Sequence, residues 1–262
     1  MSVSLARTLS ARRAFGRAGF VPFIVAGDPS REASLMAARL LAAAGADILE
    51  VGVPFSDPVA DGPVIQAAGQ RALAKGMSLA KAIGFVKTLR ADGVTIPVIL
   101  FTYLNPILRL GLKPFAKACA QSGVNAVLIV DLPAEESKAT AQALKARGIE
   151  IVLLASPTTT DQRLKLIGKL TGSTAYYVSR QGVTGVRSGL ESDLVKRLEH
   201  VRRLIKKPLL VGFGVAEPAQ ARALAPHSAG VVVGSAIVKQ NFIGGPAAVR
   251  RLAKKLIAAL EI

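Results

Sequence analysis

A glutamate inside an apolar run and two aspartates just beyond it are the residues of this chain best placed for chemistry. The stretch reads Ile48-Leu49-Glu50-Val51-Gly52-Val53-Pro54-Phe55-Ser56-Asp57-Pro58-Val59-Ala60-Asp61-Gly62-Pro63. In a strand of period two, Leu49, Val51 and Val53 share one face and Glu50 takes the other, toward the interior of the sheet. An unpaired carboxylate is costly to bury, so its pKa rises and it becomes able to carry a proton near neutrality. Such a group suits general acid-base work. The competing reading, a glutamate held by an interior salt bridge or hydrogen bonds, stays open on pattern alone. Asp57, before Pro58, suits bracing of a turn. Asp61, before Gly62-Pro63, either caps the next helix or stands as a second carboxylate beside Glu50.

Two glycine-rich segments follow late in the chain, Gly212-Phe213-Gly214 and Gly234-Ser235. Glycine lets a backbone approach a ligand closely, and free N–H groups at a helix start bind phosphate. Between residues 179 and 189 lie Gly182, Gly185 and Gly189 among polar residues, the composition of a lid. His200 and His227 fall near helix ends, which argues against a histidine-built metal site. No strand end carries a lysine suited to Schiff-base chemistry. The pattern points to carboxylate acid-base chemistry on a phosphorylated substrate.

The elements that must position these groups alternate along the chain. Strands are expected at Val21–Val25, Ile48–Val53, Val98–Phe101, Ala126–Val130, Ile151–Leu154, Ala175–Val178, Leu209–Val211 and Val231–Val233. Helical patterns are expected at 31–44, 63–91, 113–122, 134–147, 160–169, 190–205, 217–225 and 247–260. Continuously apolar strands belong to a parallel sheet buried on both faces. Eight strand-helix units make a closed α/β barrel, the (β/α)8 TIM barrel, the expected fold, with an open doubly wound sheet as the alternative. Residues 1–262 read as a single domain. Leu5, Leu9 and Arg13 fit an extra N-terminal helix under the barrel, although the basic, acid-free residues 1–27 also resemble an organelle transit segment.

Composition narrows the setting. Hydrophobic residues make up 51%, enough for a large core. Cys119 is the one cysteine, so no internal disulfide can form, which fits a reducing, cytoplasmic compartment. Its helical surroundings suit a core position rather than a nucleophile. The longest apolar run, Ala229–Val238, is too short and broken for a membrane span. The formal charge is +17, but the basic residues come as doublets: Arg202-Arg203, Lys206-Lys207, Arg250-Arg251 and Lys254-Lys255. A solvated outer ring of helices is expected, with no nucleic-acid partner and no membrane.

The motif Leu49-Glu50-Val51-Gly52-Val53-Pro54-Phe55-Ser56-Asp57-Pro58, with Ala60-Asp61-Gly62-Pro63, resembles the tryptophan synthase alpha chain family. The resemblance continues through Gly27-Asp28-Pro29, Tyr103-Leu104-Asn105-Pro106, Gly182-Val183-Thr184-Gly185, Gly212-Phe213-Gly214 and Gly234-Ser235-Ala236. It implies a lyase of tryptophan biosynthesis that splits indole-3-glycerol phosphate into indole and glyceraldehyde 3-phosphate, with no cofactor in this chain. Glu50 would be the general acid-base, and Asp61 the carboxylate that holds the indole N–H. Phe23, Phe101, Tyr103, Tyr176 and Phe213 would surround the substrate, Gly185, Gly214, Gly234 and Ser235 its phosphate, and Thr184 would touch Asp61 from the lid. The resemblance also implies a beta subunit carrying pyridoxal phosphate, in an alpha2beta2 heterotetramer, against loops 53–62, 105–112 and 180–189. A free-standing lyase that releases indole is the alternative. Phe101-Thr102 stands where small or sulfur-containing residues are common in the family.

Overall fold

The computed structural model describes residues 4–178, 188–212 and 214–262, and for 188–192 the backbone alone. The strands are β1 (Gly19–Val25), β2 (Leu49–Gly52), β3 (Val98–Thr102), β4 (Ala126–Ile129), β5 (Glu150–Val152), β6 (Leu154–Ala155), β7 (Ala175–Val178), β8 (Leu209–Gly212) and β9 (Gly230–Val233). Every pairing between them is parallel, in the order β5-β4-β3-β2-β1-β9-β8-β7-β6. The two ends of that order, β5 and β6, are successive parts of one run on either side of Leu153. The sheet therefore closes on itself into a barrel. Leu153 leaves the ladder because its N–H donates to Thr171 Oγ1 at 3.2 Å, while its carbonyl still accepts from the Tyr176 N–H at 3.0 Å. Side-chain substitution for one ladder bond explains why a single expected strand is split in two.

The helices are α1 (Leu5–Ala14), α2 (Arg31–Ala43), α3 (Pro63–Ala74), α4 (Leu79–Ala91), α5 (Leu104–Leu110), α6 (Leu112–Ser122), α7 (Lys138–Lys145), α8 (Asp161–Leu170), α9 (Ser188–Ile205), α10 (Pro218–Leu224) and α11 (Ser235–Ala258). Four differ from the sequence expectation, the pattern at 134–147 opening as a 3-10 turn at Ala134–Glu136 ahead of α7. The pattern at 63–91 divides into α3 and α4, because Gly76 takes a left-handed φ of 75° and Ser78 starts a new helix by accepting from the Lys81 N–H. Residues 105–112, expected as a loop, hold α5 and the start of α6, with the turn at Gly111 (φ 91°). The last helix begins at Ser235 rather than 247, and Gly245 (φ 65°) with Pro246 breaks it where the expected helix starts.

The N-terminal helix lies where the sequence places it, across the N-terminal ends of the strands. Leu5 and Leu9 are buried. A Cβ on Gly19 or Gly230 would come within 2.6 Å or 3.0 Å of Leu9 Cδ2, so these two glycines leave the space that Leu9 fills. The buried Asp47 ties the same end together. It pairs with Arg12 and Arg17 and accepts from the Phe20 N–H at 2.7 Å. Cys119 is fully buried and burial pushes its thiol up to about 12, in keeping with a core position. Among the described residues no helix is long and apolar enough to cross a membrane.

Removing the Leu9 side chain leaves a cavity beneath the barrel. Leu9→Ala is expected to lower unfolding free energy by about 2–5 kcal/mol in a denaturant titration, as for other buried leucines. Arg7→Ala, at an exposed position of the same helix, is expected to stay within about 0.5 kcal/mol. Equal effects of the two would mean that α1 is not part of the cooperative unit.

Candidate active site

Strand β2 is buried throughout, and its register sets Glu50 beside Phe23 of β1 and Ile99 of β3. Glu50 is only 1% exposed, and among the described residues it forms no salt bridge. Its Oε1 has no hydrogen-bond partner there. Among the described residues the ion-paired reading of this glutamate finds no partner. Burial, with a smaller push from the Asp61 carboxylate, lifts its pKa from 4.5 to about 8. At neutral pH the buried group is mostly a neutral acid with an oxygen facing a cavity rather than a partner.

That cavity, of about 320 Å³, opens at the C-terminal ends of the strands. It brings together Phe23, Glu50, Asp61, Phe101, Tyr176, Gly214, Gly234 and Ser235, eight of the residues singled out from sequence. Asp61 does not cap α3, whose N-cap is Gly62 without a side-chain bond. Its main-chain carbonyl accepts from Gln66 Nε2, and its carboxylate is left for the cavity. Burial raises Asp61 from 3.8 to about 6, against the opposing effect of a hydrogen bond from Tyr103. A group this far below neutrality is still mostly ionised at pH 7, though less firmly than a loop position near solvent suggests. Tyr103 does not line this cavity. It stands behind Asp61, where its hydroxyl accepts from the Ala60 N–H at 3.3 Å and donates to the Asp61 carboxylate. Asp57 is exposed and accepts from the Ser56 hydroxyl, a turn contact outside the cavity.

The walls are aromatic. Phe23 and Phe101 meet edge to face with centroids 5.4 Å apart, and Tyr103 stacks on Phe55 at 4.9 Å. Gly52 makes the Phe23 position possible: a Cβ there would lie 2.4 Å from the Phe23 ring. Gly212 serves Tyr176 in the same way, since its Cβ would lie 2.3 Å from the Tyr176 hydroxyl. Gly214 has a φ of 88°, the left-handed region that glycine occupies without strain. Gly234 and Ser235 stand at the start of α11. A Cβ on Gly234 would make ordinary van der Waals contact with Ile65 and Phe23, both at 3.6 Å, and clash with nothing.

Ile65 and Val232 also line the cavity and were not singled out from sequence. Val232 lies two residues before Gly234, so strand periodicity alone assigns it to the same face. Ile65, in the first turn of α3, carries no such local signal. Thr184, Gly185 and Phe213 lie outside the described residues, as do positions 179–187 of the expected lid 179–189. The described lining contains no lysine, and no described group of histidine, cysteine and carboxylate residues could hold a metal.

The arrangement supplies a proton carrier, a carboxylate with a lower pKa, an aromatic slot and a helix start on one cavity. Residues 9–255 match the family model described as tryptophan synthase alpha chain. The tryptophan synthase alpha chain of Phenylobacterium zucineum (strain HLK1) is 47% identical over 225 residues, covering 86% of this chain and 81% of the relative. That of Acidiphilium cryptum (strain JF-5) is 44% identical over 240 residues, covering 92% and 87%. The crystal structure of tryptophan synthase subunit alpha from Legionella pneumophila str. Paris superposes with a TM-score of 0.87 at 33% identity, covering 97% of each chain. Sequence similarity at this level spans both the carboxylate loop and the glycine-rich strand ends, and the chain belongs to the tryptophan synthase alpha chain family.

Proposed function

We propose that this cavity cleaves indole-3-glycerol phosphate to indole and glyceraldehyde 3-phosphate, with Glu50 as proton carrier and Asp61 as electrostatic partner. The observation that carries the reading is Glu50 itself, a buried carboxyl without an ion pair among the described residues, on a cavity shared with a second carboxylate. The protonated Glu50 delivers its proton to the indole ring carbon that bears the side chain, which makes the ring cationic. Asp61 accepts the indole N–H and offsets that charge. The Glu50 carboxylate then takes the proton of the adjacent glycerol hydroxyl. The carbon–carbon bond breaks, its electron pair returns to the ring, and the hydroxyl carbon becomes the aldehyde. Glu50 ends protonated as it began, so the chain needs no cofactor of its own. Phe23, Phe101 and Tyr176 bound the indole and glycerol moieties, while Gly214, Gly234 and Ser235 receive the phosphate through backbone donors at the start of α11.

The rim of the site supports a partner. Val59 is 83% exposed and Leu108 64%, and both follow strands that end at the cavity. Exposed apolar side chains around an active-site mouth suit a protein surface rather than water. The partner in this reading is a beta subunit carrying pyridoxal phosphate, in an alpha2beta2 assembly in the cytoplasm, with residues 1–262 acting as one barrel domain. Incubating the purified chain with indole-3-glycerol phosphate, with and without a beta subunit, and following indole tests the activity. Absence of indole under both conditions would overturn it.

The starting enzyme must have Glu50 protonated and Asp61 ionised. With pKa values of about 8 and about 6, kcat/KM is expected to fall above pH 8 and below pH 6, as measured in steady-state assays across that range. Glu50→Gln is expected to lower turnover by about 10²–10⁴ while substrate binding persists. It should also change stability with a definite sign. The raised pKa means that native Glu50 loses stability as pH climbs from 4.5 toward 8, and glutamine carries no such cost. The variant is therefore expected to melt higher than wild type at pH 8–9 and not at pH 4. Near-normal single-turnover cleavage by Glu50→Gln would remove the residue from the mechanism.

Asp61→Asn keeps a hydrogen-bond acceptor but loses the charge. Turnover is expected to fall more than affinity, and the residual alkaline limb to move to lower pH because Asp61 no longer pushes Glu50 upward. An unmoved alkaline limb would show that the two carboxyls do not interact. At the other end of the cavity, Gly234→Val sets a Cβ in van der Waals contact with Ile65 and Phe23 without a clash, and adds methyl groups to the cavity lining. It is expected to fold normally and to lose measurable binding of glycerol 3-phosphate in calorimetry. Unchanged affinity would place the phosphate site elsewhere.

A further inference from the structure

A cluster of uncompensated charge lies at the opposite end of the barrel from Glu50. A groove of about 720 Å³ runs between α1 and the turn from α9 into β8, and five cations line it: Arg13, Arg202, Arg203, Lys206 and Lys207. Glu199 is the only carboxylate in its described lining. None of the five cations forms a salt bridge among the described residues. Leu9, Pro208, Leu209 and Ala229 add apolar surface to the lining.

Three features separate this groove from a solvated helix face. First, the cations converge on one concavity from different elements. The doublets Arg250-Arg251 and Lys254-Lys255 instead alternate with buried Val249, Ala253 and Leu256 on the outer face of α11. Second, Arg13 is fixed in place by donating to the Ala225 and Pro226 carbonyls at 3.1 and 3.0 Å. Neutral acceptors hold the guanidinium without neutralising it, so an incoming anion meets an ordered charge. Third, Lys206 occupies the left-handed region with φ 55°, at the position after a helix that glycine or asparagine usually fills. Backbone strain of this kind persists where the surroundings impose it, and it is common at ligand clamps.

We propose that this groove is a second anion site that takes a small ligand bearing several consecutive phosphates. A single phosphate brings about two negative charges at most, whereas five cations against one carboxylate leave an excess of four. A chain of three phosphates matches that excess, and arginine forks engage its oxygens in pairs. The volume is that of a small-molecule site, within roughly 300–1,000 Å³, and the concavity suits a compact anion better than an extended duplex.

Calorimetry on the full chain tests the proposal, with inorganic tripolyphosphate as the probe and ATP as a second titrant. One tripolyphosphate is expected to bind per chain. The triple variant Arg202→Gln/Lys206→Gln/Lys207→Gln should weaken binding by at least about tenfold. Arg250→Gln/Lys254→Gln/Lys255→Gln removes the same charge from α11 and should leave affinity within about twofold. Gly234→Val should bind the probe normally, which separates this groove from the catalytic cavity. Indole formation and melting temperature check that each groove variant is folded. Tighter binding of ATP than of tripolyphosphate would show that the apolar part of the lining takes a ring, and equal binding that the phosphate chain alone is read. Equal losses in the two triple variants would overturn the proposal in favour of a diffuse positive field. Inorganic phosphate binding as tightly as tripolyphosphate would also overturn it, as would binding confined to long nucleic acid.

Discussion

A carboxyl group enclosed in a parallel barrel has few ways to be satisfied. The strands surrounding Glu50 spend their backbone donors and acceptors on one another, and the side chains around them are apolar. The cheapest state left to it is the protonated one, and the rest of the site is arranged around that state. The second carboxylate, Asp61, sits in a loop where Tyr103 can steady its charge, and its charge in turn holds the proton on Glu50. The two groups differ by burial and not by chemical type. Similar side chains thus take separate pKa values, one above neutrality and one below it.

Making the cavity in a filled barrel requires giving up side chains at chosen places. Gly52 and Gly212 give theirs up so that Phe23 and Tyr176 can lie flat against neighbouring strands. Gly234 gives up its own so that space remains at the start of α11. These are different uses of the same residue, and the distances to a hypothetical Cβ tell them apart. Replacement of Gly52 or Gly212 collides with an aromatic ring, whereas replacement of Gly234 fills the cavity.

Much of this was legible in the residues. Strand positions followed from short β-branched runs, because a doubly buried strand has almost no polar residue to confuse the pattern. Glu50 stood out for the same reason. The helical connections were harder to read. The division of 63–91 rests on Gly76 and Ser78, ordinary residues in a helical composition, and α5 is a short helix beginning beside Asn105-Pro106, where turn chemistry dominates the pattern. The elevation of Asp61 could not be read from a proline- and glycine-rich loop, since it depends on how far the loop folds over the barrel mouth. Ile65 entered the cavity wall by the same route. The groove around Arg13 and Lys206 was hidden for another reason. Doublets on α9 and α11 look alike in sequence, and only the packing of α1 beside α9 makes one of them concave.

Closing the ring from one chain has a consequence for biosynthesis. Strand β1 pairs with β2 on one side and with β9 on the other, Gly19 standing opposite Gly230. A ribosome makes the first of these strands more than two hundred residues before the last. Throughout that interval the unpaired side of β1 offers an open row of amide and carbonyl groups to any passing strand. Leu9, which in the finished barrel rests against Gly19 and Gly230, has only half of its seat until β9 emerges. The nascent chain is therefore most open to wrong pairing along its earliest strand, and relief comes only with its final helix-bearing segment.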